Sequence, residues 1–206
     1  MVKTHRKLDL HSSINQHSSA SLGLKRRVEM QTNGQTFVSF SFDADTAPTP
    51  DRKYLADIAS IVCGVRSIKL LFAQEKVSGG LRNLLVVEIS PGAASTFIKS
   101  TNEVKNPTFK EVAELNQLPI PELSVIIQEP EQTVALKANI ISCAVSGHDA
   151  CIDFYYISAV AMRKLATTDK VNMDAVVRVD MDSNLFLAVL EQLESSILNF
   201  PELKGY

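Results

Sequence analysis

Leu55-Ala56-Asp57-Ile58-Ala59-Ser60-Ile61-Val62-Cys63, leading to Ile68-Lys69-Leu70-Leu71-Phe72, decides the fold because its pattern returns 82 residues later. The second stretch is Lys137-Ala138-Asn139-Ile140-Ile141-Ser142-Cys143-Ala144-Val145, leading to Ala150-Cys151-Ile152-Asp153-Phe154. Ala56 aligns with Ala138, Ile58 with Ile140, Ser60 with Ser142, Leu70 with Ile152 and Phe72 with Phe154, without a gap. A second block follows in the same order: Val86-Val87-Glu88-Ile89 aligns with Val176-Val177-Arg178-Val179 at an offset of 90, so the second copy is expected to carry eight extra residues before it. Two blocks in one order, each followed by a helix start, point to an internal duplication.

Working outward, each copy reads as four strands and a helix. Val38, Phe40 and Phe42 alternate with Ser39 and Ser41, the period of a half-buried strand. Residues 54–63 and 67–75 form a hairpin around Gly64-Val65-Arg66, and the matching turn is Ser146-Gly147-His148-Asp149. Strand four is Leu84–Ser90, matched by Ala175–Asp180. Ser90-Pro91 then supplies an N-cap and a first-turn proline, and Asp182 caps a helix over Ser183–Asn199 with Phe186, Val189, Leu190, Leu193 and Ile197 on one face. Between the copies, Thr108-Phe109-Lys110-Glu111 is a capping box opening a short helix that Pro119 and Pro121 end, after which Leu123–Gln128 is the first strand of copy two. The expected fold is α+β: two tandem repeats, each a four-stranded antiparallel sheet followed by a helix, arranged as a pseudo-dimer. The divisions are a basic, flexible arm at 1–34, repeat one at 35–102, a linker with a short helix at 103–121, and repeat two at 122–206.

Face alternation refines this expectation. Ala59, Ile61, Cys63, Leu85, Val87 and Ile89, with Ile141, Cys143, Val145, Ala175, Val177 and Val179, form an apolar face suited to lie under the helices. The opposite face is apolar too, through Ile58, Val62 and Val86 and their counterparts Ile140, Ala144 and Val176, with Tyr155 nearby. Such a face calls for a sister repeat, a second subunit or a polypeptide ligand. The candidate partner-binding residues are therefore Ile58, Val62, Val86, Ile140, Val176 and Tyr155, with strand addition at a sheet edge as the expected mode. Glu88 and Arg178 fall at equivalent positions with opposite charge and form the candidate inter-repeat ion pair.

Composition removes several alternatives. A chain of 206 residues with 45% hydrophobic and 21% charged residues can bury a full core. The longest apolar run, Leu185–Leu190, is far below the ~20 residues of a membrane helix. The net charge of -2 hides an asymmetry: residues 1–30 carry +4 and the rest -6. Cys63, Cys143 and Cys151 lie in apolar, strand-like stretches, and an odd number without CxxC spacing reads as buried thiols in a reducing compartment, the cytoplasm.

The motifs that could carry chemistry are thin. Asp180, Asp182, Asn184 and Glu191 occupy positions 1, 3, 5 and 12 of a calcium loop, but Leu185 stands where that loop needs glycine. His5, His11 and His17 recur every six residues, a spacing that gathers them on neither helix nor strand. His148-Asp149 is a turn pair, and with Asp153 it is where an unrecognised enzyme site would be sought first. No phosphate-binding loop, nucleophile elbow or zinc-protease motif occurs. A base-stacking sheet needs exposed aromatics among basic residues, so nucleic-acid contact is left to the basic arm. No cofactor, metal or catalytic residue is assigned.

The Ala138-Asn139…Asp153-Phe154 pattern, with its partner Ala56-Asp57…Leu70-Phe72 and Tyr54 two residues ahead, resembles a small bacterial domain family of unknown function with a Tyr-Ala-Asn…Asp-Phe consensus. That resemblance implies a fold and no activity. Four antiparallel strands and a helix are also similar in topology to SecB-type export chaperones, although the Cys-Pro and Phe-Pro-Tyr segments of SecB are missing here. Together these readings make a non-enzymatic protein-binding or assembly module, a chaperone-like adaptor, the expected function, with a protein partner or a homo-oligomer as the partner.

Overall fold

The structure is a computed structural model and describes residues 24–30, 36–43, 46–64, 66–103, 134–164, 167 and 170–199. The helix expected at 108–118, the strand Leu123–Gln128 and residues 1–23 of the basic arm lie outside the described residues.

The chain is α+β. A peripheral hairpin comes first, β1 (Leu24–Met30) and β2 (Thr36–Phe42). The first half then runs β3 (Lys53–Ala56), β4 (Ile58–Cys63), β5 (Ile68–Glu75), β6 (Leu81–Ile89) and α1 (Pro91–Glu103). The second half runs β7 (Leu136–Ala138), β8 (Ile140–Ser146), β9 (Asp149–Tyr156), α2 (Ala159–Lys164), β10 (Lys170–Val171), β11 (Asp174–Asp182) and α3 (Ser183–Asn199). Both expected caps form: Ala93 N–H donates to Ser90 Oγ, and Asn184 N–H donates to Asp182 Oδ1.

The expected antiparallel sheets are corrected to mixed ones. Sheet one has the order β4-β5-β6-β7 and sheet two the order β3-β11-β9-β8. In each, three strands from one half pair antiparallel, and the fourth is a short strand of the other half that pairs parallel: β7 beside β6, and β3 beside β11. Because β3 runs on into β4 across Asp57, and β7 into β8 across Asn139, the six long strands make a closed ring of pairings.

Those two crossings rest on the same hydrogen bonds. Asp57 N–H donates to the Ala73 carbonyl and Asn139 N–H to that of Tyr155. Two residues further along each partner strand, Glu75 N–H donates to Asp57 Oδ2 and Ile157 N–H to Asn139 Oδ1. A short Asp or Asn side chain suits a place where a strand leaves its ladder, because it replaces a lost backbone acceptor.

The third strands correspond at an offset of 92, not 90. Leu70 faces Val87 and Ile152 faces Val179, so Glu88 corresponds to Asp180 and Arg178 to Val86. The register also breaks at matching places. An extra residue enters β6 after Leu85, where Asn83 has φ 50°, and Val176 is the extra residue in β11 before Val177. Bulges of this kind bend a strand and turn the residues beyond them to the other face. Ala175, expected inward, accordingly joins a small core on the outer side.

The main core lies between the two sheets. Ala59, Ile68, Leu70, Phe72, Val87 and Ile89 of sheet one share it with Ala150, Ile152, Phe154, Val177, Val179 and Met181 of sheet two. The helices complete it crosswise, α1 packing on β8 and α3 on β4, with α1 and α3 also in contact. The face expected to lie only under helices is thus also where the halves meet. Strands β4 and β8, which would otherwise be open edges, lie against those helices.

The first strand expected of repeat one, Val38–Phe42, belongs instead to a third, three-stranded sheet of order β10-β1-β2. Residues 24–30, assigned to the arm, are the middle strand of that sheet. Its Phe42 meets Tyr155 at 5.6 Å between ring centroids, within a small core that also holds Ile157, Val171 and Met173. The extra residues of the second half, which carry α2 and β10, therefore help cover the outer side of sheet two.

Candidate functional site

A cavity of about 680 Å³ opens at one end of sheet two, where β3, β11, β9 and β8 lie abreast. Register places its lining in rows. Leu55, Asp180, Cys151 and Ala144 stand in one row, Ala56, Met181, Ala150 and Val145 in the next, and Asp182, Asp149 and Ser146 in the last. Asp57, at the strand crossing, and Leu185, in the first turn of α3, complete it. The second row belongs to the main core, so its side chains point to the face opposite Leu55 and Asp180, with Ala56, Ala150 and Met181 almost fully buried. Leu55 is 57% exposed, which is high for a leucine on a strand.

The lining carries four carboxylates, Asp57, Asp149, Asp180 and Asp182, and neither Lys nor Arg. Asp149 and Asp182 are direct cross-strand neighbours, where like charges repel. The turn between β8 and β9 is held to the helix entrance, since Ser183 N–H donates to the His148 carbonyl at 2.8 Å. Gly147 takes φ 63° at that turn, a conformation that suits glycine.

Two positions inward along the outer face, the side chains are spent on one another. Arg178 grips Asp153 with two bonds of 2.7 Å, from Nε to Oδ1 and from Nη2 to Oδ2. Tyr155 Oη donates to Asp153 Oδ2 at 3.3 Å. Asp153 is only 7% exposed. The hydrogen bond to Asp153 holds the Arg178 guanidinium more firmly protonated than usual, while burial, then the Asp153 charge, push the Tyr155 hydroxyl upward. The corresponding positions of the first half are Leu71 and Val86, both buried.

The chain matches no family model, no curated protein and no solved structure.

Most of the residues singled out from the sequence do not gather at this cavity. Ile58, Val62 and Val86 lie on sheet one and Ile140, Val176 and Tyr155 on sheet two. Val86 (1% exposed) and Tyr155 (2%) are buried, Ile140 packs in the small core, and Val176 packs at the margin of the main one. Val62 is exposed and Ile58 half-buried. The six do not form one patch, because they divide between two sheets.

The Glu88–Arg178 pair is replaced by a different arrangement. Each residue alternates with inward neighbours, Val87 and Ile89 or Val177 and Val179, so the two project outward from opposite sheets. Arg178 is engaged by Asp153, and Glu88 stands between Lys69 and Lys137 on the neighbouring strands.

Nor does the structure assemble an enzyme site from His148, Asp149 and Asp153. His148 and Asp149 are exposed at the hairpin tip, and Asp153 lies four residues further along β9, about 13 Å at ~3.3 Å per residue. The calcium-like run is divided between β11 and α3, with Asp182 acting as the helix cap. Among the described residues no three His, Cys, Asp or Glu side chains are placed to hold a metal ion, and no helix is long and apolar enough to cross a membrane.

Cys63, Cys143 and Cys151 are free thiols, each half-buried. Burial, with smaller contributions from Cys151 and Asp153, raises Cys143 to about 12. Burial and the Asp153 charge also raise Cys151, at the cavity wall. Thiolates are the nucleophilic form, so neither cysteine is tuned for attack.

The cavity itself was missed from sequence. Leu55 and Asp57 are far in the chain from Asp180 and Asp182 and are brought beside them only by the parallel β3–β11 pairing. The one available signal was Leu55, an apolar residue out of phase with the inward row Tyr54 and Ala56.

Proposed function

We propose that this protein is a non-enzymatic protein-binding module, built as a duplicated unit, that holds a short segment of a partner polypeptide in the cavity at the end of sheet two. The observation that carries the reading is the exposed Leu55, which stands in one row of the cavity lining with Cys151 and Ala144. Cavities of ~300–1,000 Å³ with an apolar lining and few polar groups are the usual form of a binding site, and this one has the volume for a few side chains. Free thiols suit a reducing compartment such as the cytoplasm.

The mode of capture differs from strand addition. Sheets one and two form a ring whose β4 and β8 edges are covered by helices, so side chains entering a cavity, not a backbone extending a sheet, account better for binding.

The test is a panel of unstructured peptides of about twelve residues screened against the full chain, with binding mapped by methyl NMR. Binders that shift the signals of Leu55, Ala144, Ala150 and Met181, and that are lost in Leu55→Glu, support the reading. Binding that leaves these signals unmoved, or no binding across the panel, overturns it.

A further inference from the structure

We propose that the cavity selects a segment in which a lysine or arginine follows an apolar residue, the apolar side chain covering Leu55 and Ala144 and the cation reaching the carboxylate rim. This rests on the polypeptide-binding reading and adds the chemistry that the partner must carry.

Charge complementarity is the basis. Asp149, Asp180 and Asp182 stand on adjacent strands at the cavity mouth, and no lining residue carries positive charge. Asp149 and Asp182 face each other directly across β9 and β11. A cation between them relieves that repulsion. Arg178, two positions from Asp180 on β11, is held by both oxygens of Asp153, so it does not neutralise the rim. Asp153 is thereby also removed from competition for a ligand cation.

The apolar lining selects what accompanies the charge. Leu55 and Ala144, in the same row as Asp180, offer hydrocarbon, not hydrogen-bonding groups, beside the rim. A bare metal ion would leave that surface unused. Lysine and arginine fit both parts, since their methylene stems lie along apolar surface while the charged head reaches outward. Leu55 is 57% exposed, so a flanking apolar residue can cover it.

The experiment compares three fluorescent nonapeptides, identical except for a central lysine, norleucine or glutamate, binding to the full chain at 50 and 500 mM salt. The lysine peptide is expected to bind about tenfold tighter than norleucine at low salt, with the ratio falling at high salt as surface charges are screened. Asp149→Asn and Asp180→Asn should each weaken the lysine peptide about two- to fivefold, the range of an exposed ion pair. Neither should change the norleucine peptide. Asp149→Glu, which keeps the charge, should restore most of the preference, and melting curves establish that each variant is folded.

Equal binding of lysine and norleucine, with the cavity signals shifting, would overturn the charge preference while leaving the polypeptide reading standing. Butylamine alone displacing the lysine peptide completely at equal concentration would also overturn it, because recognition would then be of an amine and not of a segment. Tight lysine binding that leaves Leu55 and Met181 unmoved places the contact elsewhere and is equally fatal. If none of the three peptides binds, both readings fall.

Discussion

Phe72 and Phe154 meet ring to ring at the centre of the molecule, centroids 6.1 Å apart and planes at 59°. Each occupies the same position in its half, 82 residues apart, and neither is exposed. A second such meeting occurs between the helices, where Asn102 Nδ2 donates to Glu194 Oε1 at 3.4 Å, residues that correspond at the offset of 92.

Removing either ring should therefore weaken both sheets. Phe72→Ala and Phe154→Ala are each expected to cost about 3–5 kcal/mol. Their effects in the double variant should fall short of the sum by about 0.5–1.5 kcal/mol, the coupling typical of an aromatic pair. Urea denaturation of the four proteins of the cycle measures this, and strict additivity would show that the rings do not act together.

The contrast between Asp153–Arg178 and Leu71–Val86 makes a sharper prediction. Arg178→Met leaves a buried carboxylate without its partner and should cost about 3–5 kcal/mol. The double change Asp153→Leu with Arg178→Val copies the apolar pair of the other half. It should recover most of that loss, apart from about 1 kcal/mol for the Tyr155 hydroxyl deprived of its acceptor. Thermal melts of the single and double variants decide it.

The two crossing residues should respond unequally to exchange of acid and amide. Asp57→Asn keeps an oxygen for Glu75 N–H at an exposed site and is expected to stay within about 0.5 kcal/mol of the parent. Asn139→Asp removes the donor that Nδ2 offers to the Ile157 carbonyl at 2.8 Å and sets a carboxylate against that oxygen. A loss of about 2 kcal/mol is expected, more than for the other exchange. Equilibrium unfolding compares them directly.

Alkaline sensitivity should trace in part to Cys143. Its thiol ionises at an ordinary 9.0 when unfolded and at about 12 in the fold. The folded state thus favours the neutral form, so this contribution is complete below about pH 9 and is lost as the pH rises from there towards 12. Cys143→Val should flatten the decline of melting temperature between pH 8 and pH 10.5. The decline should not vanish, because burial raises Tyr155 and Tyr54 too.

What was legible in the sequence follows from what is local. Turn glycines, caps and the alternation of Ala59, Ile61 and Cys63 depend on neighbours a few positions away, and they read correctly. The offset of the third strand was misjudged by two because parity survives a two-residue shift, and Val86-Val87 resembles Val176-Val177 more than its true counterpart Arg178-Val179. The exchanged strands escaped notice for a different reason. Nothing in Lys53–Ala56 or Leu136–Ala138 marks a three- or four-residue piece as belonging to a distant sheet, since the change of direction is carried by one Asp or Asn side chain. The cavity was hidden with them, because β3 supplies one of its walls.

The pairing of β3 with β11 also sets an order of events during synthesis. Lys53 lies beside Arg178, 125 positions later. At a ribosomal rate of ~5–20 residues per second, β3 must wait for roughly 6–25 s before its neighbour is made. Sheet one has a shorter delay, since β7 follows β6 by about fifty residues and brings closure of that sheet within reach earlier. For that interval the emerging chain holds a strand without its final partner, and Lys53 at one end with Asp57 just beyond the other gives it the charged borders that discourage pairing with a stranger.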